Sequence, residues 1–393
     1  MGGPAGAGVL KVPTLSLPNG DGRLRPYTTG EPRAFPPARP PFDRVAYSAA
    51  HVVSDPLADV DPWLAPAIDW ERTVAYRQHI WSLGLGVAEA MDTAQRGMGL
   101  DWPTSLELIR RSLAAAPPGA LIACGAGTDH LTGPATLDQV IRAYEEQVEA
   151  IEALGGRVIL MASRALAACA RGPDDYRKVY GRILGGVRQP VILHWLGSMF
   201  DPALDGYWGS AAIPAAMDTC LGVIEANAAA VDGIKISLLD KSHEIAMRRR
   251  LPRGVRMYTG DDFSYAELIA GDGQGHSDAL LGIFDAIAPA AAAALGSLHR
   301  NDLQAFHDIL APTVPLSRHI FKAPTRFYKT GIVFMAYLNG HQDHFTMVGG
   351  QQSARSLPHL AELFRLADQA GLLADPERSA ARMRAVLAVH GAA

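Results

Sequence analysis

Eight short apolar runs, separated by longer amphipathic segments, constrain the fold of this 393-residue chain more than any other feature. The runs occupy residues 44–53, 85–91, 119–127, 157–163, 190–197, 231–237, 255–261 and 271–280. Most of them lack alternation of polar and apolar residues, as is typical of strands buried on both faces of a parallel sheet. Eight strand–helix repeats over roughly 250 residues predict an α/β protein with a (β/α)8 (TIM) barrel. An open doubly wound sheet is disfavoured because no glycine-rich dinucleotide fingerprint follows the first run.

The chain is predicted to have three parts, with the barrel in the middle at residues 41–298. Residues 1–40 contain 7 Gly and 8 Pro. They offer too little apolar surface to offset the entropy lost on ordering, so a loose, flexible arm is expected. Residues 299–393 predict a helical appendage, with helices near 301–311, 326–339, 355–371 and 376–390. Among the barrel helices, the clearest begins with a capping box at Thr136 and Gln139 and stops at Gly155.

The composition excludes several classes of protein. Hydrophobic residues make up 48% of the chain, which supplies a core and excludes a disordered protein. A formal net charge of −4 leaves no basic field for binding nucleic acid. The most apolar window, residues 280–298, contains Asp285 and Pro289, and the first residues lack a secretory signal, so no membrane partner is expected. Three cysteines cannot form a disulfide framework, which favours the cytoplasm.

One lysine stands inside an apolar run. Lys235 lies between Ile234 and Ile236, towards the C-terminal end of its predicted strand, where barrels carry their reactive side chains. Burying an ammonium group is costly. Desolvation lowers the pKa of a lysine and frees the neutral amine to form an imine with a carbonyl compound. The spacing alone leaves two interpretations open, a Schiff-base lysine and a structural ion pair.

Three motifs in a fixed order carry a family resemblance. They are GIK at residues 233–235, TGDD at residues 259–262 and a glycine-rich stretch at residues 271–277. This ordered set resembles the dihydrodipicolinate synthase / N-acetylneuraminate lyase superfamily, where G-x-K-x-S precedes S-G-D-D and G-x-x-G-x-x-S. The resemblance covers about residues 42–373 and indicates a divergent actinobacterial branch. It implies a class I aldolase-like barrel that forms its imine on Lys235, needs no cofactor, and assembles as a homodimer or homotetramer.

Three departures from that superfamily affect the expected chemistry, and two of them lie at and just after the fifth run. Residues 189–193 (QPVIL) match the strand that brings the family's catalytic tyrosine, and His194 occupies the tyrosine's position. A histidine can also relay protons and titrates nearer neutral pH, so His194 is the second predicted catalytic residue. The alternative is a histidine simply hydrogen-bonded at a strand end. The family's R-T-G segment, whose arginine binds a substrate carboxylate, is replaced by residues 198–201 (SMFD).

The third departure concerns substrate charge. Residues 91–95 (MDTAQ) correspond to the family's G-T-T-G-E, which binds the carboxylate of a keto acid. Asp92 places a negative charge there, and two nearby carboxylates repel unless one takes up a proton or a cation intervenes. Asp92 and Thr93 are better suited to substrate hydroxyls. The expected substrate is therefore a small hydroxylated carbonyl compound, such as a sugar-derived ketone or aldehyde, rather than pyruvate.

Five further residues are candidate substrate contacts at the C-terminal face of the barrel. His130 follows the third run, Gly260 would allow close approach of the substrate after the seventh, and His276 is assigned to the eighth. His341 and His344 bound the polar segment HQDH. That segment is interpreted as a connection between helices, as part of a metal site, or as a loop over the barrel mouth.

Three functions remain open from the sequence. The first is a Schiff-base lyase, aldolase or dehydratase of carbohydrate catabolism, in which Lys235 forms the imine and His194 moves protons. The second is a metal-dependent aldolase or sugar isomerase that uses His130, His341, His344 and acidic residues. The third is a barrel that binds ligands without catalysis, which a lysine inside an apolar strand argues against. For the first, no metal is expected.

Overall fold

Eight parallel strands close into a barrel in the computed structural model, which describes residues 12–38 and 40–392. The barrel strands are β3 (Ala46–Ala49), β4 (Gly86–Glu89), β5 (Ile122–Ala126), β6 (Arg157–Leu160), β7 (Val191–Leu196), β8 (Val231–Ser237), β9 (Arg256–Thr259) and β10 (Asp278–Leu281). They follow one another around the barrel in sequence order, and β10 closes the ring against β3. Each predicted apolar run supplies one strand, so the (β/α)8 barrel is confirmed.

At least one helix follows each barrel strand. They are α1 (Trp70–Ser82), α2 (Trp102–Ala115), α3 (Leu137–Ala153), α4 (Arg164–Cys169), α5 (Pro173–Leu184), α6 (Ile213–Ala226), α7 (Lys241–Arg248), α8 (Tyr265–Ala270), α9 (Ile283–Ala286) and α10 (Ala288–His299). The capping box predicted for α3 is present, with Thr136 and Gln139 each bonding the other's backbone N–H. Gly155, just after this helix, has a φ of +78°, which a glycine adopts without steric cost. None of the helices in the described residues is long and apolar enough to cross a membrane.

Five α-helices follow the barrel in the described residues, and one of them packs against its C-terminal face. They are α11 (Leu303–Leu310), α12 (Val314–Ile320), α13 (Tyr328–Asn339), α14 (Leu357–Gln369) and α15 (Pro376–Val389). Four match the predicted helices, and α12 was not predicted. Helix α13 is buried along nearly its whole length and contacts both α9 and the 3-10 turn Asp92–Ala94. The helical appendage thus reaches the C-terminal face of the barrel.

Part of the segment predicted as a flexible arm is ordered in a hairpin. Strands β1 (Thr14–Pro18) and β2 (Leu24–Thr28) pair antiparallel, and Leu15 and Leu17 are buried. The Tyr27 hydroxyl donates to the Asp368 carboxylate of α14 at 2.6 Å. The prediction of a loose arm is therefore wrong for these residues, because the appendage supplies the apolar surface and the hydrogen-bond partners that the arm lacks. Residues 1–11 lie outside the described part of the chain.

The eighth strand begins later than the sequence pattern suggests. Residues 271–275 form a turn in which the Asp272 N–H donates to the Gly275 carbonyl at 2.8 Å, and β10 starts only at Asp278. His276 therefore precedes the strand, is exposed, and lies at the N-terminal end of the barrel. Its predicted place at the C-terminal face is wrong, because the glycines before it make the turn that enters the strand.

Candidate active site

Lys235 and His194 occupy paired positions on neighbouring strands. Their Cα atoms are register partners in the parallel pair of β8 and β7, so both side chains point to the same face of the sheet. Ile234 and Ile236, on either side of Lys235, belong to the outer core between strands and helices. The lysine therefore points into the barrel, where only 7% of its surface is exposed, against 1% for His194.

The Lys235 ammonium is buried and has no hydrogen-bond partner among the described residues. Burial lowers its pKa below the ordinary value, and the carboxylates of Asp92 and Asp262 offset only part of that shift. Burial also raises the pKa of Asp262 to about 7, although its carboxylate accepts the Ile283 N–H at 2.9 Å. The site thus favours a neutral amine on Lys235 more than water would.

Gly260, at the end of β9, leaves the space that Lys235 occupies. A Cβ atom at this position would lie 2.8 Å from Lys235 Cε and 2.6 Å from the Ile236 carbonyl oxygen. It would lie closer still to Ser237 Oγ. Contacts this short force a shift of the backbone or of the lysine, so a glycine is required beside the amine.

We expect Gly260→Ala to lower the free energy of unfolding by about 2 kcal/mol, since overpacking a tight interior typically costs 1–3 kcal/mol. The displaced Lys235 should also react less well with carbonyl compounds. Urea unfolding measures the first effect. The matched control is Gly222→Ala in α6, where a new Cβ meets nothing within 4 Å and alanine favours the helix. Equal urea midpoints for Gly260→Ala and the natural chain would contradict the steric argument.

His194 lies close to two polar side chains. Its Nε2 lies 3.3 Å from Ser237 Oγ, and its buried Nδ1 has no hydrogen-bond partner among the described residues. Nδ1 is 3.9 Å from an Asp92 carboxylate oxygen. Burial, and next the positive charge of Lys235, keep the pKa of His194 well below its ordinary value. The imidazole is therefore neutral near pH 7, with one ring nitrogen able to accept a proton.

Asp92 and Thr93 lie in the 3-10 turn directly after β4 and have different surroundings. The Asp92 side chain is 26% exposed and lines the cavities above the barrel. Thr93 is buried, and its hydroxyl is 2.9 Å from the hydroxyl of Tyr328 in α13. The Asp92 side chain thus faces both cavities, whereas Thr93 ties the appendage to the barrel and lines neither cavity.

Two adjoining cavities open at the C-terminal face of the barrel. The larger, the main cavity, has a volume of about 510 Å³ and is lined by Asp92, His194, Arg96 and Arg164 among others. The smaller, the side cavity, has a volume of about 270 Å³ and shares Asp92 and both arginines with the main cavity. Lys235 lines neither, but its neighbours Asp92 and His194 form part of the wall.

His130 lies beside the main cavity without lining it. Its Nδ1 is 2.8 Å from the side-chain nitrogen of Gln147, and its Nε2 is 3.4 Å from the Glu146 carboxylate. Gln147 also accepts a hydrogen bond from Arg96 at 2.9 Å, and Arg96 forms a partly buried ion pair with Asp129. His130 therefore belongs to a hydrogen-bonded network under the mouth, and Asp129, next to it, reaches the main cavity.

His341 and His344 lie away from both cavities. The His341 ring packs against Tyr76 and His79 of α1, at centroid distances of 4.8 and 4.7 Å. His344 Nδ1 is 2.7 Å from the hydroxyl of Thr346. Of the three interpretations of this segment, the structure shows the polar connection after α13 and not a loop over the mouth. In the described residues no three His, Cys, Asp or Glu side chains converge as a metal-ligand set.

Sequence reasoning missed two residues at the barrel mouth, Tyr328 and Lys329. Both lie at the start of α13 and line the side cavity. Lys329 is 5% exposed, and burial lowers its pKa to about 8. The signal was a lysine in an otherwise apolar helix, residues 328–338, which resembles the pattern that singled out Lys235.

The chain belongs to the family whose model is described as "Protein of unknown function (DUF993)", which matches residues 15–392. A comparison with curated proteins gave no match. Among solved structures, YagE of E. coli, a prophage protein of the dihydrodipicolinic acid synthase family in complex with pyruvate, is similar with a TM-score of 0.66 and 14% identity. That alignment covers 84% of this chain and 99% of YagE.

Two further solved structures show the same similarity. A putative dihydrodipicolinate synthetase from Pseudomonas aeruginosa has a TM-score of 0.62 and 15% identity, covering 83% of this chain and 99% of its own. Dihydrodipicolinate synthase from Aquifex aeolicus has a TM-score of 0.64 and 11% identity, covering 84% and 99%. The barrel is therefore that of the dihydrodipicolinate synthase fold, and the resemblance noted in the sequence is confirmed at the level of the fold.

Proposed function

We propose that this protein is a Schiff-base-forming lyase that acts on a small hydroxylated carbonyl compound through an imine on Lys235. The observation that carries the proposal is the lysine itself, which points into the barrel beside His194 with its amine unpaired and its pKa lowered. A structural ion pair, the alternative from the sequence, would require a bonded carboxylate that the described residues do not supply. The solved structures of similar fold belong to dihydrodipicolinate synthase proteins, which supports the same class of chemistry.

The first steps use the two paired side chains. The neutral Lys235 amine attacks the carbonyl carbon, and the carbonyl oxygen takes a proton from solvent to become the hydroxyl of a carbinolamine. Loss of that hydroxyl as water requires a proton, which an adjacent acid–base group such as His194 can deliver after accepting one from the attacking nitrogen. The product is a protonated imine, in which one C=N bond has replaced one C=O bond and one water has left.

The imine then accepts an electron pair from the substrate. When a base removes the proton of a hydroxyl on the β-carbon, the bond between the α- and β-carbons breaks and its electrons form an enamine. The departing fragment leaves as an aldehyde or ketone. Protonation of the enamine and addition of water release the second product and restore Lys235. Loss of a β-hydroxyl as water would use the same intermediate, so cleavage and dehydration share these residues.

Asp92 is suited to two tasks in this sequence. Its carboxylate favours a positive charge on Lys235 and therefore also on the protonated imine that replaces it. It also faces the cavity, where it can accept hydrogen bonds from substrate hydroxyls. A carboxylate on the carbonyl end of the substrate would meet Asp92, which is why we propose an uncharged carbonyl end, as in sugar-derived ketones or aldehydes.

Borohydride trapping tests the proposal directly. The protein is incubated with dihydroxyacetone and sodium borohydride, digested, and the modified lysine is located by mass spectrometry. We expect the reduced adduct on Lys235. Lys329 is the internal control because it is also buried with a lowered pKa. Lys241 is the exposed control, and its ammonium is ion-paired with Glu267. An adduct confined to Lys329, or none with any ketone, would exclude the imine on Lys235.

Assembly and location remain part of the proposal. By resemblance we propose a homodimer or homotetramer, whose subunit number sedimentation equilibrium would measure. Three free cysteines, of which Cys124 and Cys220 are buried, accord with a cytoplasmic role in carbohydrate catabolism.

A further inference from the structure

The side cavity is lined by more positive than negative side chains. Its charged lining residues are Asp92, Asp201, Arg96, Arg164, Arg326 and Lys329. Arg96 is ion-paired with Asp129, and Arg164 with Asp201. No carboxylate of the described residues lies within ion-pairing distance of Arg326 or Lys329. Arg326 and Lys329 are therefore left without a bonded counterion, although Lys329 still feels the charge of Asp92, which lines both cavities.

Lys329 is held in place rather than free to move into water. Its Nζ lies 3.1 Å from Met98 Sδ and 3.3 Å from the Arg326 carbonyl oxygen, and neither atom carries a formal charge. The aliphatic stem is buried at the start of α13, and Tyr328 beside it is fixed by its hydrogen bond to Thr93. A buried cation without a charged partner is costly and gains much from binding an anion.

We infer that the side cavity binds the anionic end, a carboxylate or a phosphate, of the substrate whose carbonyl group reaches Lys235, with Lys329 as the binding cation and Arg326 beside it. The inference rests on the proposed function and narrows its substrate class. Two residues of the site have opposite preferences, because Asp92 disfavours an anion at the carbonyl end of the substrate and Lys329 favours one in the side cavity.

This arrangement also compensates for a departure in the sequence. The chain lacks the R-T-G segment after β7, with residues 198–201 in its place. Lys329 and Arg326 approach the mouth from the appendage instead, a segment more than a hundred residues further along the chain.

The pKa of Lys329 of about 8 gives the expected pH dependence, since anion binding should weaken as the pH rises through that value and the lysine loses its proton.

Two matched pairs of ketones test the inference. The first is 4-oxopentanoate and 2-pentanone, which differ in a terminal carboxylate, and the second is dihydroxyacetone phosphate and dihydroxyacetone. For each pair we measure the ketone concentration needed for half-maximal borohydride trapping on Lys235. The value for the uncharged ketone is then divided by the value for the anionic ketone. We expect a ratio of at least ten for one pair, which also identifies the preferred anion. Lys329→Gln should reduce that ratio to about one, and the exposed control Lys241→Gln should retain it.

A second measurement separates this inference from the proposed function. Inorganic phosphate binding is measured by isothermal titration calorimetry, which requires no imine. If no ketone is trapped, phosphate binding that is lost in Lys329→Gln but retained in Lys241→Gln still supports the anion site. The inference is overturned if the ratios are near one in the natural chain or if they survive Lys329→Gln. If no ketone is trapped, it is overturned by phosphate binding that is absent or unaffected by Lys329→Gln.

Discussion

Lys235→Ala is expected to abolish borohydride trapping and to lower turnover at least a thousandfold, a loss of about 4 kcal/mol of transition-state stabilisation. The reason is that the imine is the electron acceptor in the proposed reaction, and no neighbouring side chain can form it in the same place. Stability should change little, because the removed ammonium is buried without a bonded partner and its burial was itself unfavourable. Steady-state kinetics and urea unfolding measure the two effects.

Two companion variants make that result interpretable. Lys235→Met keeps the length and apolar stem of the side chain and should be as inactive as the alanine variant, which separates the amine from the packing. Lys241→Ala, on the exposed surface of α7, should retain full turnover. Full activity in Lys235→Met would remove the Schiff-base proposal, whatever the activity of Lys235→Ala.

The barrel could be predicted from the sequence because its pattern is local and repeated. Most strands are short apolar runs bounded by Gly or Pro, and the strand order of a (β/α)8 barrel follows the order in the chain. The same regularity places Lys235 and His194 side by side, since they occupy corresponding positions near the ends of consecutive strands. Where the pattern was broken by glycine, as before β10, the strand boundary and with it His276 were misplaced.

The rest of the site depends on tertiary contacts that no local pattern encodes. His341 and His344 follow α13, but their direction is set by packing against α1 and by Thr346, so their sequence spacing gave no guide to the barrel mouth. Lys329 reaches the mouth because the first turn of α13 contacts the turn after β4, a pairing of segments far apart in the chain. The hairpin of β1 and β2 was missed for the same reason.

Asp92→Thr is expected to change substrate preference by about a hundredfold in favour of pyruvate over an uncharged polyhydroxy ketone. A carboxylate about 4 Å from Asp92 costs on the order of 4 kcal/mol at an effective dielectric of 20, or roughly a thousandfold in binding. Lys235 and Lys329 offset part of that repulsion, because both feel the Asp92 charge. The ratio of kcat/KM, or of half-maximal trapping concentrations, for the two substrates measures the change.

Asp92→Asn separates the charge of this residue from its hydrogen bonds. Asparagine keeps the shape and one acceptor oxygen, so it should relieve the repulsion of pyruvate nearly as well as threonine does. It should also slow the reaction of the uncharged ketone, since the protonated imine loses the carboxylate that stabilises it. If the natural chain already uses pyruvate efficiently, and neither variant alters the ratio, then Asp92 does not select against a charged carbonyl end. The two buried lysines would in that case neutralise Asp92 fully, and Lys329 would serve as its counterion rather than the substrate's.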